Sequence, residues 1–160
     1  QRLRRYIMFS CSYDAKFWIC HALRCLPSEI WDSLRERLAF VCMDSSDGRR
    51  LTHEFCENHE IIILSERIVP RGNVAEDDSK VRYFMFAVLH EVAHAVCDHQ
   101  APKAISEAEN VGQENDADRF AFAWFNEYLK SKNQQEFTSA ELAKAQMANK
   151  EAWERALGSH

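Results

Sequence analysis

The sequence lacks several features that would each indicate a particular class of protein. No apolar run reaches the roughly 18 residues of a membrane-spanning helix, and the basic start at 1–5 is not followed by a signal-peptide core. The net charge of −5, with dispersed Lys and Arg residues, argues against direct binding to nucleic acid. We therefore expect a soluble, cytoplasmic protein that does not contact a membrane.

Paired cysteine motifs are also absent. The six cysteines are irregularly spaced and form no CxxC pair, which argues against a zinc ribbon. Most of them lie in apolar segments, where a free cysteine behaves as a small hydrophobic residue. A chain of 160 residues with 46% hydrophobic residues can bury an ordinary core without disulfides, so we expect free thiols in a reducing compartment.

The order of secondary structure predicts an α+β fold, because β-like segments precede residue 66 and helical patterns follow residue 79. Apolar runs bounded by turn residues predict strands at 5–11, 39–43 and 60–65. Periodic apolar residues, caps and breakers predict helices at 12–26, 52–58, 83–97, 114–129 and 138–157. A further helix is predicted from Ser28, because an apolar stripe with four-residue spacing continues to Leu38. Residues 69–79 are predicted to form an exposed loop that caps the next helix, and residues 100–112 and 130–137 polar connections.

The helix at 83–97 has the sequence YFMFAVLHEVAHAVC, which is apolar almost all round except at His90, Glu91 and His94. A buried carboxylate beside two imidazoles is costly unless a cation compensates for it. His90 and His94 lie one helical turn apart on one face, where both rings can bind one ion. Glu91 lies about 100° round the helix and can reach a water on that ion. This HExxH arrangement predicts a zinc site, with Glu91 as general base.

A third ligand is expected from the following helix, since a catalytic zinc keeps three protein ligands and one open position. Glu114 heads the apolar face of that helix, and the small residues Ala117 and Ala121 allow two helices to approach closely. Asp118, one turn further on, is placed to accept the outer N–H of a ligating histidine. The alternative is that both carboxylates belong to a solvated, acidic helix start that the helix dipole favours.

Other histidines and two tyrosines need separate interpretation. His53 and His59 do not complete a second HExxH pattern and are expected at the surface. His99 does not fit the longer HExxHxxGxxH pattern, so we expect a role in the substrate pocket or at the helix C-terminus. Tyr83, His99 and Tyr128 are all candidates for a donor to an oxyanion.

The motifs resemble those of the ImmA/IrrE-type metallopeptidases, within the zincins that take Glu as third ligand. HEVAH at 90–94 is similar to the family's HExxH, and Glu114-x-x-Ala117-Asp118-x-Phe120-Ala121 is similar to its downstream signature. The resemblance covers about residues 60–129. It implies that His90, His94 and Glu114 bind zinc, that Glu91 is the general base and that Asp118 supports a ligand.

The resemblance also implies a fold and an activity. We expect one zincin-like domain at 1–130, with a small sheet packed on the metal helix and the Glu114 helix, followed at 131–160 by a polar linker and a C-terminal helix. The implied activity is zinc-dependent hydrolysis of peptide bonds in a protein, with a transcriptional repressor or other regulator as substrate. An extended substrate would add to a sheet edge near Ile61 to Leu64. The alternatives are a non-catalytic protein-binding module and a zinc hydrolase of a non-protein substrate.

Overall fold

A computed structural model of the chain describes residues 8–43, 49–51 and 60–157. One sheet contains the strands β1 (Met8–Ser10), β2 (Leu38–Met43), β3 (Arg49–Leu51) and β4 (Glu60–Ser65). The strand order is β1-β2-β4-β3, in which β1, β2 and β4 are parallel and β3 is antiparallel to β4. With the helices described below, this sheet confirms the predicted α+β class.

Strand β4 forms where the sequence has its longest run of large aliphatic residues. Ile62 and Leu64 are buried, and the intervening Ile61 and Ile63 are half-buried, as the period-2 geometry of a strand requires. The strand pairs with β2 on one side and with β3 on the other. It therefore lies one strand in from the edge, which is formed here by β3.

Two helices connect β1 to β2. Helix α1 (Tyr13–Ala22) begins at Ser12, whose side chain caps the backbone N–H of Ala15 at 3.3 Å. It continues as a 3₁₀ turn, so the predicted helix at 12–26 consists of two elements. Helix α2 (Ser28–Leu34) ends earlier than predicted. Leu38 belongs to β2 instead, because pairing with Glu60 of β4 and complete burial favour the sheet at that position.

Helix α3 (Ser79–Val96) lies at the centre of the fold and contains the HEVAH motif. Asp78 caps it by accepting the backbone N–H of Lys80 at 2.8 Å, as the predicted loop implied. The helix packs on α1, on the sheet and on α4 (Glu107–Ser131). These contacts bury ten of its 18 residues, which agrees with the nearly apolar composition of the segment.

Helix α4 begins at Glu107, seven residues before its predicted start at Glu114. The start is a capping box: Ser106 accepts the backbone N–H of Glu109 at 3.3 Å, and the Glu109 carboxylate accepts the backbone N–H of Ser106 at 2.9 Å. The predicted polar connection at 100–112 is therefore partly helical. As a consequence Glu114 lies two turns inside a helix, on a rigid element.

Helix α5 (Ser139–Leu157) follows a second capping box, at Thr138 and Glu141, as predicted. The segment before it is anchored by Phe137, which is buried against aromatic rings of α3 and α4. Asn126 of α4 holds the backbone of Phe137 through hydrogen bonds of 2.8 and 3.1 Å. Leu142 near the start of α5 is buried and Ala148 in its middle is exposed, so the N-terminal end of α5 makes the closer contact.

Within the described ranges, no helix is both long and apolar enough to cross a membrane. Two sequence predictions lie outside the described residues: the short helix at 52–58 and the surface positions of His53 and His59.

Candidate metal centre

The packing of α3 against α4 brings three potential ligands together. His90 Nε2 lies 3.0 Å from His94 Nε2 and 3.2 Å from Glu114 Oε2, and His94 Nε2 lies 3.6 Å from Glu114 Oε1. Ala117 and Ala121 face this contact and are fully buried, so no larger side chain separates the two helices. Residues 24 apart in sequence thus form one group of side chains.

The spacing of these atoms suits a tetrahedral metal ion. Ligand atoms at the usual zinc distance of about 2.0–2.1 Å, at tetrahedral angles, lie about 3.3 Å from one another. His90 Nε2 lies close to that distance from both His94 Nε2 and Glu114 Oε2, at 3.0 and 3.2 Å, and the other oxygen of Glu114 lies 3.6 Å from His94 Nε2. Two imidazoles and one carboxylate are also a donor set that zinc accepts, so these residues fit the ion in both number and chemistry.

The group is buried on one side and open on the other. The side chains of His90 and His94 are 17% and 13% exposed, whereas that of Glu114 is 47% exposed. Glu91 follows His90 on α3 and is half-buried. The open side lies at Glu114, so a reactant can approach from solvent while the two rings stay fixed by the core.

The outer nitrogen of His90 has a carboxylate partner. Asp118 Oδ1 lies 2.8 Å from His90 Nδ1, one turn along α4 from Glu114. A carboxylate at that distance accepts the Nδ1–H and leaves the Nε2 lone pair free to bind a metal. Asp118 therefore sets both the tautomer and the direction of the ring.

The outer nitrogen of His94 has a partner that the sequence patterns did not identify as such. His99 Nδ1 lies 2.8 Å from His94 Nδ1, and the backbone N–H of His99 donates to the carbonyl of His94 at 3.0 Å. Asp98 between them has a φ of 51°, in the left-handed region, which turns the chain back on the helix end. If His94 Nε2 binds a metal, His94 Nδ1–H donates and His99 Nδ1 accepts.

The charges in this group favour a cation. Burial by itself lowers the pKa of His90, but hydrogen bonds to Asp118 and Glu114 and the nearby charge of Glu91 outweigh it and raise the pKa to about 9. Hydrogen bonds from His90 and His94 hold the pKa of Glu114 well below its usual range. Glu114 thus stays ionised beside the two rings, and positive charge between these side chains is stabilised.

The other predicted site residues lie at different distances from this group. Tyr128 is on α4, 14 residues after Glu114 or roughly 21 Å along the helix, and its hydroxyl donates to Glu76 at 2.8 Å. Tyr128 is therefore too far from Glu114 and the two histidines to act as the oxyanion donor. Tyr83 lies about two turns before His90 on α3 and is half-buried. Of the three candidates, His99 is the one in contact with His94, a potential ligand.

Comparison with known proteins gives one match. The family Peptidase U49 matches residues 81–155, a stretch slightly shorter than half of the chain that includes His90, Glu91, His94 and Glu114. No curated protein and no solved structure matches the chain. The family match supports a peptidase of the metallopeptidase type, and it does not confirm the ImmA/IrrE-type family to which the motifs are similar.

Proposed function

We propose that this protein is a zinc-dependent metalloendopeptidase in which His90, His94 and Glu114 bind the metal and Glu91 is the general base. The observation that supports it best is the convergence of the three potential ligand atoms, which all lie within 4.8 Å of one another. Their residue types and mutual distances suit zinc, and the peptidase family match covers the same stretch of chain.

Zinc, when bound, would supply Lewis acidity, which would polarise the scissile carbonyl and lower the pKa of a reacting water to about 7. The Glu91 carboxylate takes the proton from that water as attack begins, and the same group then delivers it to the leaving amine. Glu91 is half-buried, so it is partly shielded from solvent, which strengthens its interactions. It is not among the three proposed ligands.

The remaining residues hold this machinery in position. Asp118 and His99 each bind the outer nitrogen of one ligand histidine, at 2.8 Å in both cases. Such partners keep the ring tautomers that metal binding needs and restrict rotation of the rings. The exposed side of Glu114 leaves room for an extended peptide, and the edge strand β3 lies beside β4 as a surface to which it could add.

The substrate that we propose is a protein, and specifically a transcriptional repressor or other regulator in the cytoplasm. This finer assignment follows from the similarity of HEVAH and the Glu114 to Ala121 segment to the ImmA/IrrE-type motifs. It requires no contact of the protein with nucleic acid, in keeping with the net charge of −5.

The test compares the wild type with Glu91→Gln, which keeps the size of the side chain and removes the base. Zinc-loaded proteins are incubated with a cell extract, and new N-termini are identified by mass spectrometry. We expect Glu91→Gln to retain zinc and to lose at least about 10²–10⁴-fold in cleavage rate. Glu127→Gln, on the exposed side of α4, is the control and should cleave like the wild type.

Three results would contradict the proposal in different ways. Equal cleavage by Glu91→Gln and the wild type, with equal zinc content, would exclude Glu91 as the base. Stable binding of a partner without cleavage by either protein would identify a binding module. Zinc-dependent hydrolysis of small esters or amides without new protein N-termini would identify a hydrolase of non-protein substrates.

A further inference from the structure

Two cysteines lie side by side at the carboxyl ends of neighbouring parallel strands. Strand β1 pairs with β2 up to Ser10 and Val41, so Cys11 and Cys42 are the next residues in the same register. Both are half-exposed, and both are free thiols. This pair lies outside the metal centre, and neither residue has a role in the proposed peptidase reaction.

The backbone positions suit a disulfide. Neighbouring strands are about 4.7–4.9 Å apart, which is within the usual Cα–Cα range of about 4.4–6.8 Å for bonded cysteines. The two thiols also interact with each other, since each changes the pKa of the other. A bond between the sulfurs would therefore need little movement of either strand.

The two thiols are not equivalent. The hydrogen bond from Cys42 lowers the pKa of Cys11, and the nearby charge of Lys16 acts in the same direction, against the opposing effects of burial and Glu66. The same hydrogen bond, together with burial, raises the pKa of Cys42. Cys11 is thus the more acidic thiol of the pair, and Cys42 is the partner that keeps its proton more readily.

We propose that Cys11 and Cys42 form a reversible redox site that a hydroperoxide oxidises to a disulfide. The Cys11 thiolate attacks one peroxide oxygen, the O–O bond breaks, and the departing oxygen takes a proton from solvent and leaves as water, or as an alcohol where the hydroperoxide is organic. Cys42 then attacks the Cys11 sulfenic acid: the S–S bond forms, the S–O bond breaks, and a second water leaves with the Cys42 proton. Two electrons pass from the sulfurs to the peroxide, and an external thiol reverses the reaction.

The disulfide would join the edge strand β1 to the interior strand β2. It would close the loop from Cys11 to Cys42, which contains α1 and α2, and so restrict the unfolded chain. We expect the Tm to rise by on the order of 10 °C on oxidation. Cys25 provides an internal reference, because it is buried and burial raises the pKa of its thiol to about 12.

The experiment treats the folded, reduced protein with one equivalent of hydrogen peroxide, blocks the remaining thiols and maps tryptic peptides by mass spectrometry. Trypsin releases each member of the pair in a peptide with a single cysteine, Tyr6 to Lys16 and Leu38 to Arg49. We expect these two peptides to be linked and two hydrogens lighter than their sum, and dithiothreitol to separate them. Cys25 should be recovered in its blocked, unoxidised form.

Two variants test the order of the steps. Cys42→Ser should accumulate a sulfenic acid on Cys11 that reacts with dimedone, whereas Cys11→Ser should leave Cys42 unoxidised under the same conditions. Cys20→Ser is the matched control, on α1, and should form the disulfide like the wild type. Recovery of both thiols unlinked in the wild type, or oxidation of Cys25 at the same rate, would overturn the proposal. The peptide map of the wild type decides this even if a variant fails to fold.

Discussion

The hydrogen bond between Asp118 and His90 gives the most quantitative prediction. Asp118 Oδ1 accepts from His90 Nδ1 at 2.8 Å, a charge-assisted bond. Such bonds contribute about 1.5–3 kcal/mol, against about 0.5–1.5 kcal/mol for a neutral one. Asp118→Asn retains an acceptor oxygen but loses the charge, which corresponds to a loss of about 1.3 kcal/mol, or nearly tenfold in affinity. Because Asp118 is 41% exposed, the effect should lie at the lower end of the usual range.

We therefore expect Asp118→Asn to weaken zinc binding by about tenfold and Asp118→Ala by about 10–100-fold. The assay is competition with a chromogenic chelator of known affinity, on metal-free protein whose helix content is checked by circular dichroism. The control is Asp116→Asn on the same helix, since Asp116 is paired with the exposed Arg119 at 2.9 Å. This pair is at the surface and should not affect the metal.

Equal zinc affinity in Asp118→Asn, Asp118→Ala and Asp116→Asn would refute the role of Asp118 as partner of His90. It would support the alternative, that Asp118 belongs to a solvated acidic face. Loss of affinity in Asp116→Asn as well would indicate a general effect of charge on α4.

Two further predictions follow from contacts outside the ligand set. His99→Ala should weaken zinc binding by about tenfold, because His94 loses the acceptor at 2.8 Å, and His99→Asn, which can still accept, should recover part of it; equal affinities in all three proteins would contradict this. Arg82→Ala should lower the free energy of unfolding by about 1.5–3 kcal/mol in urea, since the buried guanidinium donates to the carbonyl of Gln135 at 3.0 Å. Arg119→Ala removes an exposed ion pair and should change the free energy of unfolding by less than about 1 kcal/mol. Equal effects of the two substitutions would contradict the view that Arg82 holds the backbone at Gln135 in place.

Local patterns predicted much of the fold, and they failed where tertiary contacts decide. The run Ile61 to Leu64 could only be buried as a strand between neighbours, and the caps at Ser12 and Asp78 act through adjacent backbone groups. Leu38 fitted a helical stripe equally well, but its pairing with Glu60 of β4, which is distant in sequence, determined its conformation. The sequence contains the capping-box pattern at Ser106, but the polar composition of 100–112 favoured the prediction of a connection without a helix.

In the candidate site, too, local sequence patterns predicted some contacts, and others depend on tertiary packing. His90 and His94 are neighbours by helical periodicity, so their joint position follows from the sequence. Glu114 comes from another helix, and its approach depends on how closely the buried Ala117 and Ala121 let α4 pack on α3. The contact of His99 depends on the left-handed conformation of Asp98, which the sequence did not indicate. Sequence spacing could therefore be used to test His99 as a third ligand, but it could not predict the contact of His99 with His94.

The most direct measurement of the central claim is the metal content of the purified, untagged protein. Elemental analysis after dialysis should find one zinc per chain in the wild type and in Glu127→Ala, an exposed position on α4. Glu114→Ala should bind zinc far more weakly, because it removes the carboxylate that lies 3.2 Å from His90 and 3.6 Å from His94. A wild type without zinc, or a Glu114→Ala protein with unchanged zinc affinity, would contradict the proposed ligand set.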